Sequence, residues 1–377
     1  MRRLQLLFAQ RSIFPPPLTH FKAQPSIFAH TFFYYSTIMP GRYTEVHKSP
    51  KGVNDARPTA LKIVEDEGRQ GELKNKTALV TGASSGIGIE TVRALAATGL
   101  RVFATARNLD KAKSALGDLL TSSSSVPGQA APVELIHMDN ESLDSVRNGA
   151  EAFLKSSNAQ LNVLVCNAGI MACPFSLTED GFESQFGVCH IAHFLLFELV
   201  KDSLLKSSTV DFNSRVVMLS SMGHRSGGIN FGDLNFSEEG SYSPWRAYGQ
   251  AKTANIYLAN EVERRYGAHG LHGLSLHPGG ISTGLQVHLP KEITDQWAKN
   301  ENIRNYLKST EQGASTTLIA AVGKDWEGHG GKYLEDCEEA GPHHEDSQYG
   351  YAPHAYDEKD ASKLYDESLA LVGRWVK

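Results

Sequence analysis

Tyr248 and Lys252 stand four residues apart in a stretch of helical pattern, so one helix face carries a phenol and an ammonium side by side. A phenol titrates at roughly 10 in water and is a poor base near neutrality. A fixed cation beside it favours phenolate and lowers that value, which makes the pair a candidate proton donor and acceptor. Ser221 closes the apolar run Arg215 to Ser220, and a hydroxyl at the carboxyl end of a buried strand can hydrogen-bond a substrate carbonyl. Taken singly, such a pair and such a serine are common on solvated helices and in turns. Their weight comes from their order along the chain, after a glycine-rich loop.

That loop is Thr81-Gly82-Ala83-Ser84-Ser85-Gly86-Ile87-Gly88, and it joins an apolar strand directly to a helix. Without side chains the backbone can approach a pyrophosphate, whose charge the N–H groups and dipole of the following helix favour. The same residues spell Gly-x-Ser-x-Gly (Gly82, Ser84, Gly86), the nucleophile elbow of α/β-hydrolases. The motif lies on the first strand, however, and the only His-Gly-Gly, His329 to Gly331, is far downstream, so hydrolysis is the remote reading. After the second apolar run comes Ala106-Arg107, with no acid between Glu90 and Asp110. An NAD enzyme places a carboxylate about 20 residues after the glycines to bind ribose hydroxyls, whereas a guanidinium there forks onto a 2′-phosphate. The expected cofactor is therefore NADP. Cys166-Asn167-Ala168-Gly169 ends another apolar run and suits a tight turn against that cofactor.

Taken together, Thr81 to Gly88, Asn167-Ala168-Gly169, Ser221, Tyr248-x-x-x-Lys252 and Pro278-Gly279 resemble the short-chain dehydrogenase/reductase family. The likeness runs from about Lys76 to the C-terminus. Phe186 to Phe194 and Tyr333-x-x-x-Cys337 resemble its NADP-dependent, retinol-dehydrogenase-like branch, fungal members above all. The resemblance implies that Tyr248 exchanges the proton, Ser221 orients the carbonyl and Lys252 tunes Tyr248 and holds the nicotinamide ribose. It further implies that Asp139 lies on the adenine side and Thr283, after Pro278 and Gly279, near the carboxamide. Where the family carries an asparagine on the long helix this chain has Cys189. A thiol is a weak hydrogen-bonding group, which puts the proton relay to Lys252 in question and raises the alternative of an NADP-binding protein with little turnover.

To position these groups the chain must fold as an α/β domain, a Rossmann-like doubly wound parallel sheet with helices on both faces. Candidate strands are Thr77 to Thr81, Arg101 to Thr105, Val133 to Met138, Leu161 to Val165, Arg215 to Ser220 and Leu271 to His277. Helix-length segments lie at Gly86 to Thr98, Ser142 to Ser156, Asp180 to Ser207 and Ser243 to Tyr266, with a last helix near Asp360 to Val372. Thr121 to Pro132, with five consecutive Ser/Thr residues, reads as a surface loop. Residues 223–247 and a lobe at 281–345 are expected to cover the substrate, with Tyr242, Trp245 and Trp297 offering apolar surface.

Length and composition agree with one such domain, residues 76–377, plus tails: 377 residues, 41% apolar, net charge −5. Mild acidity without a Lys/Arg cluster gives no footprint for nucleic acid or anionic membranes, and no apolar run is long enough to span a bilayer. The expected partner is a small-molecule carbonyl or alcohol, mostly apolar, with secondary metabolism as one setting and a homo-oligomer as one form. Residues 45–75 are polar and read as a loosely ordered arm. Before Glu45 the chain holds Arg2, Arg3, Arg11, Lys22 and Arg42 but no acid, the composition of a mitochondrial targeting segment. Met39 could equally be a working start, so residues 1–44 are either a targeting segment or an extension. The default compartment is the cytoplasm, the alternative the mitochondrion.

Overall fold

The computed structural model describes residues 41–121 and 126–376; the question of residues 1–38 and part of the Ser/Thr run lie outside them. Before the sheet come α1 (Thr44–Lys48) and α2 (Ala60–Asp66). Then β1 (Thr77–Val80), α3 (Ile87–Ala97), β2 (Arg101–Ala106), α4 (Leu109–Leu116), β3 (Glu134–His137), α5 (Leu143–Ser156) and β4 (Val163–Cys166) make the first half. The second half holds α6 (Ser184–Phe186), α7 (Ala192–Ser207), β5 (Ser214–Leu219), α8 (Pro244–Tyr266) and β6 (Leu271–His277). It continues through α9 (Lys291–Lys299), α10 (Glu301–Tyr306), α11 (Thr310–Gly313), α12 (Ser315–Val322), β7 (Lys332–Glu335), β8 (Glu338–Glu339) and α13 (Glu358–Val376).

The strands form one sheet in the order β3-β2-β1-β4-β5-β6-β7-β8. All neighbours are parallel except β7 and β8. Strand order reverses between β1 and β4, so their carboxyl ends open the crevice where a doubly wound sheet binds its ligand. Both faces are buried, and alternate residues serve opposite layers. Ala78, Val80, Val163, Val165, Val217 and Leu219 pack with α2, α3 and α12. Leu79, Leu164, Cys166, Val216 and Met218 pack with α5, α7, α8 and α13. Near-continuous apolar strands are what such double coverage requires.

Two expectations need correction. Residues 45–75 are not a loose arm throughout, because Ile63 and Val64 of α2 are buried against the core and Arg57 is 4% exposed. Nor is 281–345 one lobe. α9 and α10 lack buried residues, but every residue of α12 is buried, and β7 is a full strand of the sheet on β6. Arg215, at the start of β5, ties α12 down by donating to Ala320 O (3.3 Å) and Gly323 O (2.9 Å) and pairing with Glu327 (2.9 Å).

Candidate active site

The carboxyl ends of β1, β2, β4, β5 and β6 surround a cleft of about 660 Å³. Its wall includes Gly82, Ser84, Ser85, Gly86, Ile87 and Gly88 of the glycine loop, and Arg107 and Asp139 at the ends of β2 and β3. Asn167, Ala168 and Gly169 follow β4, and Ser221, Tyr248, Lys252, Pro278, Gly279 and Thr283 complete it. Every site residue expected from the sequence thus faces one space. Two further groups at the ribose end carried no sequence signal of their own, Lys111 and Glu141.

The glycine loop is held as closely as its composition suggested. Gly82 has φ +73, and a Cβ on it would lie 2.7 Å from Ala168 Cα, so a side chain is excluded by both conformation and space. Asn167 does not project freely: its Nδ2 donates to Thr81 O (2.7 Å) and Gly82 O (3.1 Å), bracing the loop. Thr81 Oγ1 accepts from the main-chain N–H of Asn167 (2.9 Å) and Ala168 (3.0 Å) and lies 2.8 Å from His193 Nε2. His193 Nδ1 meets Cys189 O at 2.9 Å, so its proton sits there and Nε2 accepts from Thr81. Burial lowers the pKa of His193 to about 4, consistent with a neutral ring.

Tyr248 lies on α8 and is 4% exposed, Lys252 5%. Lys252 Nζ is 5.5 Å from the centroid of the phenol ring and donates to Leu219 O at 3.1 Å. Ser221 Oγ accepts from Gly223 N at 3.0 Å, and Ser220 Oγ donates to Lys252 O at 2.8 Å, joining β5 to α8. The expected lowering of the phenol pKa is corrected: burial raises it, outweighing the opposing pull of Lys252 and of the Ser221 hydroxyl. Tyr248 therefore holds its proton as a neutral phenol, the form that can donate.

Cys189 lies within a π-turn, Gly187–Ile191, between α6 and α7. Its Sγ donates to Ile170 O at 3.6 Å and sits 3.3 Å from where a Cβ on Gly169 would begin. The thiol therefore packs behind the turn after β4. Arg107 at the other end is exposed and pairs with the half-buried Glu141 at 3.1 Å. Asp139 Oδ1 accepts from Glu141 N at 3.1 Å, and Thr283 Oγ1 from Leu285 N at 3.3 Å. Trp245 and Trp297 line the cleft. Tyr242 does not: it donates to Cys173 O at 2.7 Å and packs edge-on to Phe175 and Phe236.

The hydrolase reading fails on position. His329 to Gly331 leads into the amino end of β7, whereas Ser84 follows the carboxyl end of β1. No described helix is long and apolar enough to cross a membrane.

Comparison with known proteins agrees with the cleft. A family model described as short chain dehydrogenase matches residues 76–294. The chain is 51% identical over 334 residues to short-chain dehydrogenase/reductase prx1 of Penicillium roqueforti, covering 88% of this chain and 95% of that one. It is 37% identical over 321 residues to human retinol dehydrogenase 14, covering 81% and 89%. Among solved structures, an uncharacterised protein of Mycobacterium paratuberculosis superposes with a TM-score of 0.58 at 31% identity, covering 86% and 98%. With its cleft at the switch point of a doubly wound sheet and these relatives, the chain belongs to the short-chain dehydrogenase/reductase family as a retinol-dehydrogenase-like member of the fungal type, an oxidoreductase of carbonyls and alcohols.

Proposed function

We propose that the protein is an NADP(H)-dependent carbonyl reductase acting on a mostly apolar small molecule, with Ser221, Tyr248 and Lys252 as its catalytic residues. The observation that carries this is the buried Tyr248–Lys252 pair beside Ser221, in the same cleft as Arg107. When bound, the nicotinamide supplies or accepts the hydride. The residues present fit such a cofactor: the loop from Gly82 to Gly88 opens its backbone to the cleft, and Arg107 with Lys111 gives the ribose end two cations. Asp139 suits the adenine side, Thr283 and the Pro278-Gly279 turn the nicotinamide side.

In the reducing direction the Tyr248 phenol gives its proton to the substrate oxygen while Ser221 holds that oxygen in place. Lys252 favours the phenolate left behind. Met171, Trp245, Leu285 and Trp297 supply apolar wall for the substrate.

The test is turnover and nucleotide fluorescence with NADPH and NADH against a panel of ketones and aldehydes. An oxidoreductase oxidises NADPH with some carbonyl; a protein that only binds NADP quenches without turnover. Tyr248→Phe should remove hydride transfer by at least about 10²-fold with NADPH affinity nearly intact, because only the proton donor is lost. Substantial residual turnover would refute its role.

A further inference from the structure

Helices α9 and α10 leave the body at Ile281 and return at Lys308, where the two residues form an isolated parallel bridge and Lys308 N donates to Gly280 O at 2.8 Å. The excursion brings Leu285, Val287 and Trp297 to the cleft. It buries no residue of its own helices. What fixes it must come largely from outside.

Arg57, in the loop before α2 and beyond the 76–294 family match, supplies that restraint. Its side chain is 2% exposed and its Nε pairs with Asp55 at 2.8 Å. The remaining guanidinium nitrogens donate to the main-chain carbonyls of Tyr306 (2.8 Å), Leu307 (2.6 Å) and Asn305 (3.4 Å), and to Gly52 O (3.0 Å). The carbonyls of Asn305, Tyr306 and Leu307 are those the end of α10 leaves without helical partners. Gly52 N adds a bond to Asn305 O at 2.9 Å. From behind, Gln312 locks this loop, accepting from Asn54 N (2.9 Å) and donating to Arg57 O (3.0 Å). Tyr306 is fixed at its far end too, where its hydroxyl lies 2.9 Å from Nε2 of His277, a cleft residue directly before Pro278 and Gly279.

We propose that Arg57 is a positioning residue for the substrate: by capping the end of α10 it sets where the lobe 281–308 stands over the cleft. The assignment rests on reading that lobe as the substrate cover. Arg57 touches neither the glycine loop nor the ribose end, and Thr283 is the one residue of the lobe assigned to the cofactor, so the main effect falls on the substrate.

The test uses the full chain with NADPH bound, comparing Arg57→Met, Arg57→Lys and wild type. Four quantities are read: amide hydrogen exchange, NADPH dissociation constant, and kcat and KM for 4-nitrobenzaldehyde reduction. In Arg57→Met, amides of residues 301–307 should exchange at least about tenfold faster while those of the sheet do not change. KM should rise about five- to tenfold, with kcat and NADPH affinity changed less than about twofold. Arg57→Lys should fall between. Should Arg57→Met fail to fold, Gly52→Ala serves, since Gly52 has φ +94 and a Cβ there would lie 3.2 Å from Arg304 O, straining the same contact without deleting a charge. Unchanged exchange at 301–307, loss of protection spread through the sheet, or faster exchange with an unchanged KM would each overturn the proposal. So would an NADPH affinity that falls as far as KM rises. Failure of the wild-type chain to reduce any carbonyl would instead refute the functional reading, and the exchange arm would still decide whether Arg57 holds the lobe.

Discussion

Tyr248 is a stronger proton holder than its neighbour Lys252 suggested, because burial raises its pKa. The two directions of reaction then differ in pH dependence. Reduction needs the phenol, present at any pH below that raised value, and should be level between about pH 6 and 9 as far as this group decides. Oxidation needs phenolate, and its kcat/KM should climb with pH across the same range; a flat oxidation profile would show that another group takes the proton. If Arg107 binds the 2′-phosphate as proposed, Arg107→Ala should weaken NADPH binding by at least about tenfold and NADH binding little. Equal weakening of both would make Arg107 a structural partner of Glu141. That acid was not legible beforehand. Its approach to Arg107 depends on how the turn after β3 places its carboxylate, which no spacing along the chain encodes.

Among the elements, the π-turn before α7 ties the candidate site together through main chain rather than through the Cys189 thiol. Cys189 O holds His193, His193 holds Thr81, and Thr81 holds the turn after β4. His193→Ala should therefore lower stability by about 1–3 kcal/mol by unpairing buried groups. It should also weaken NADPH binding, read by thermal unfolding and fluorescence titration; full NADPH affinity in a destabilised variant would limit His193 to packing. The six expected strands were legible to within two residues because double burial makes them short apolar bursts. β7 was not, since Lys332-Tyr333-Leu334-Glu335 puts charge at both ends of a four-residue strand. α12 escaped because Ser315-Thr316-Thr317 opens it with hydroxyls, and α2 because its apolar face is only Ala60, Ile63 and Val64. Tertiary burial decided those elements, and local pattern did not.

Across the whole molecule, four buried histidines share one behaviour. Burial lowers the pKa of His190 and His277 to about 3 and of His193 and His224 to about 4. Above roughly pH 6.5 they are neutral in folded and unfolded chains alike and cost nothing. As pH falls below that value the unfolded chain takes up protons that the folded chain refuses, so stability drains away toward pH 4 and below. The denaturant midpoint should fall steeply between pH 6.5 and 4.5, before most carboxylates titrate; a midpoint level over that range would mean that these rings are charged or solvated in the fold.

The sheet's last strand has one more consequence, for how copies of the chain meet. β8 is two residues long, both glutamates, and runs against β7; at the opposite edge β3 offers four residues, with Glu134 drawn onto Arg101 at 2.6 Å. A foreign strand seeking to extend the ladder finds little main chain to copy at one side and charge at both, the arrangement that guards exposed edges against runaway pairing. Edge-to-edge stacking between copies of the chain is thereby disfavoured.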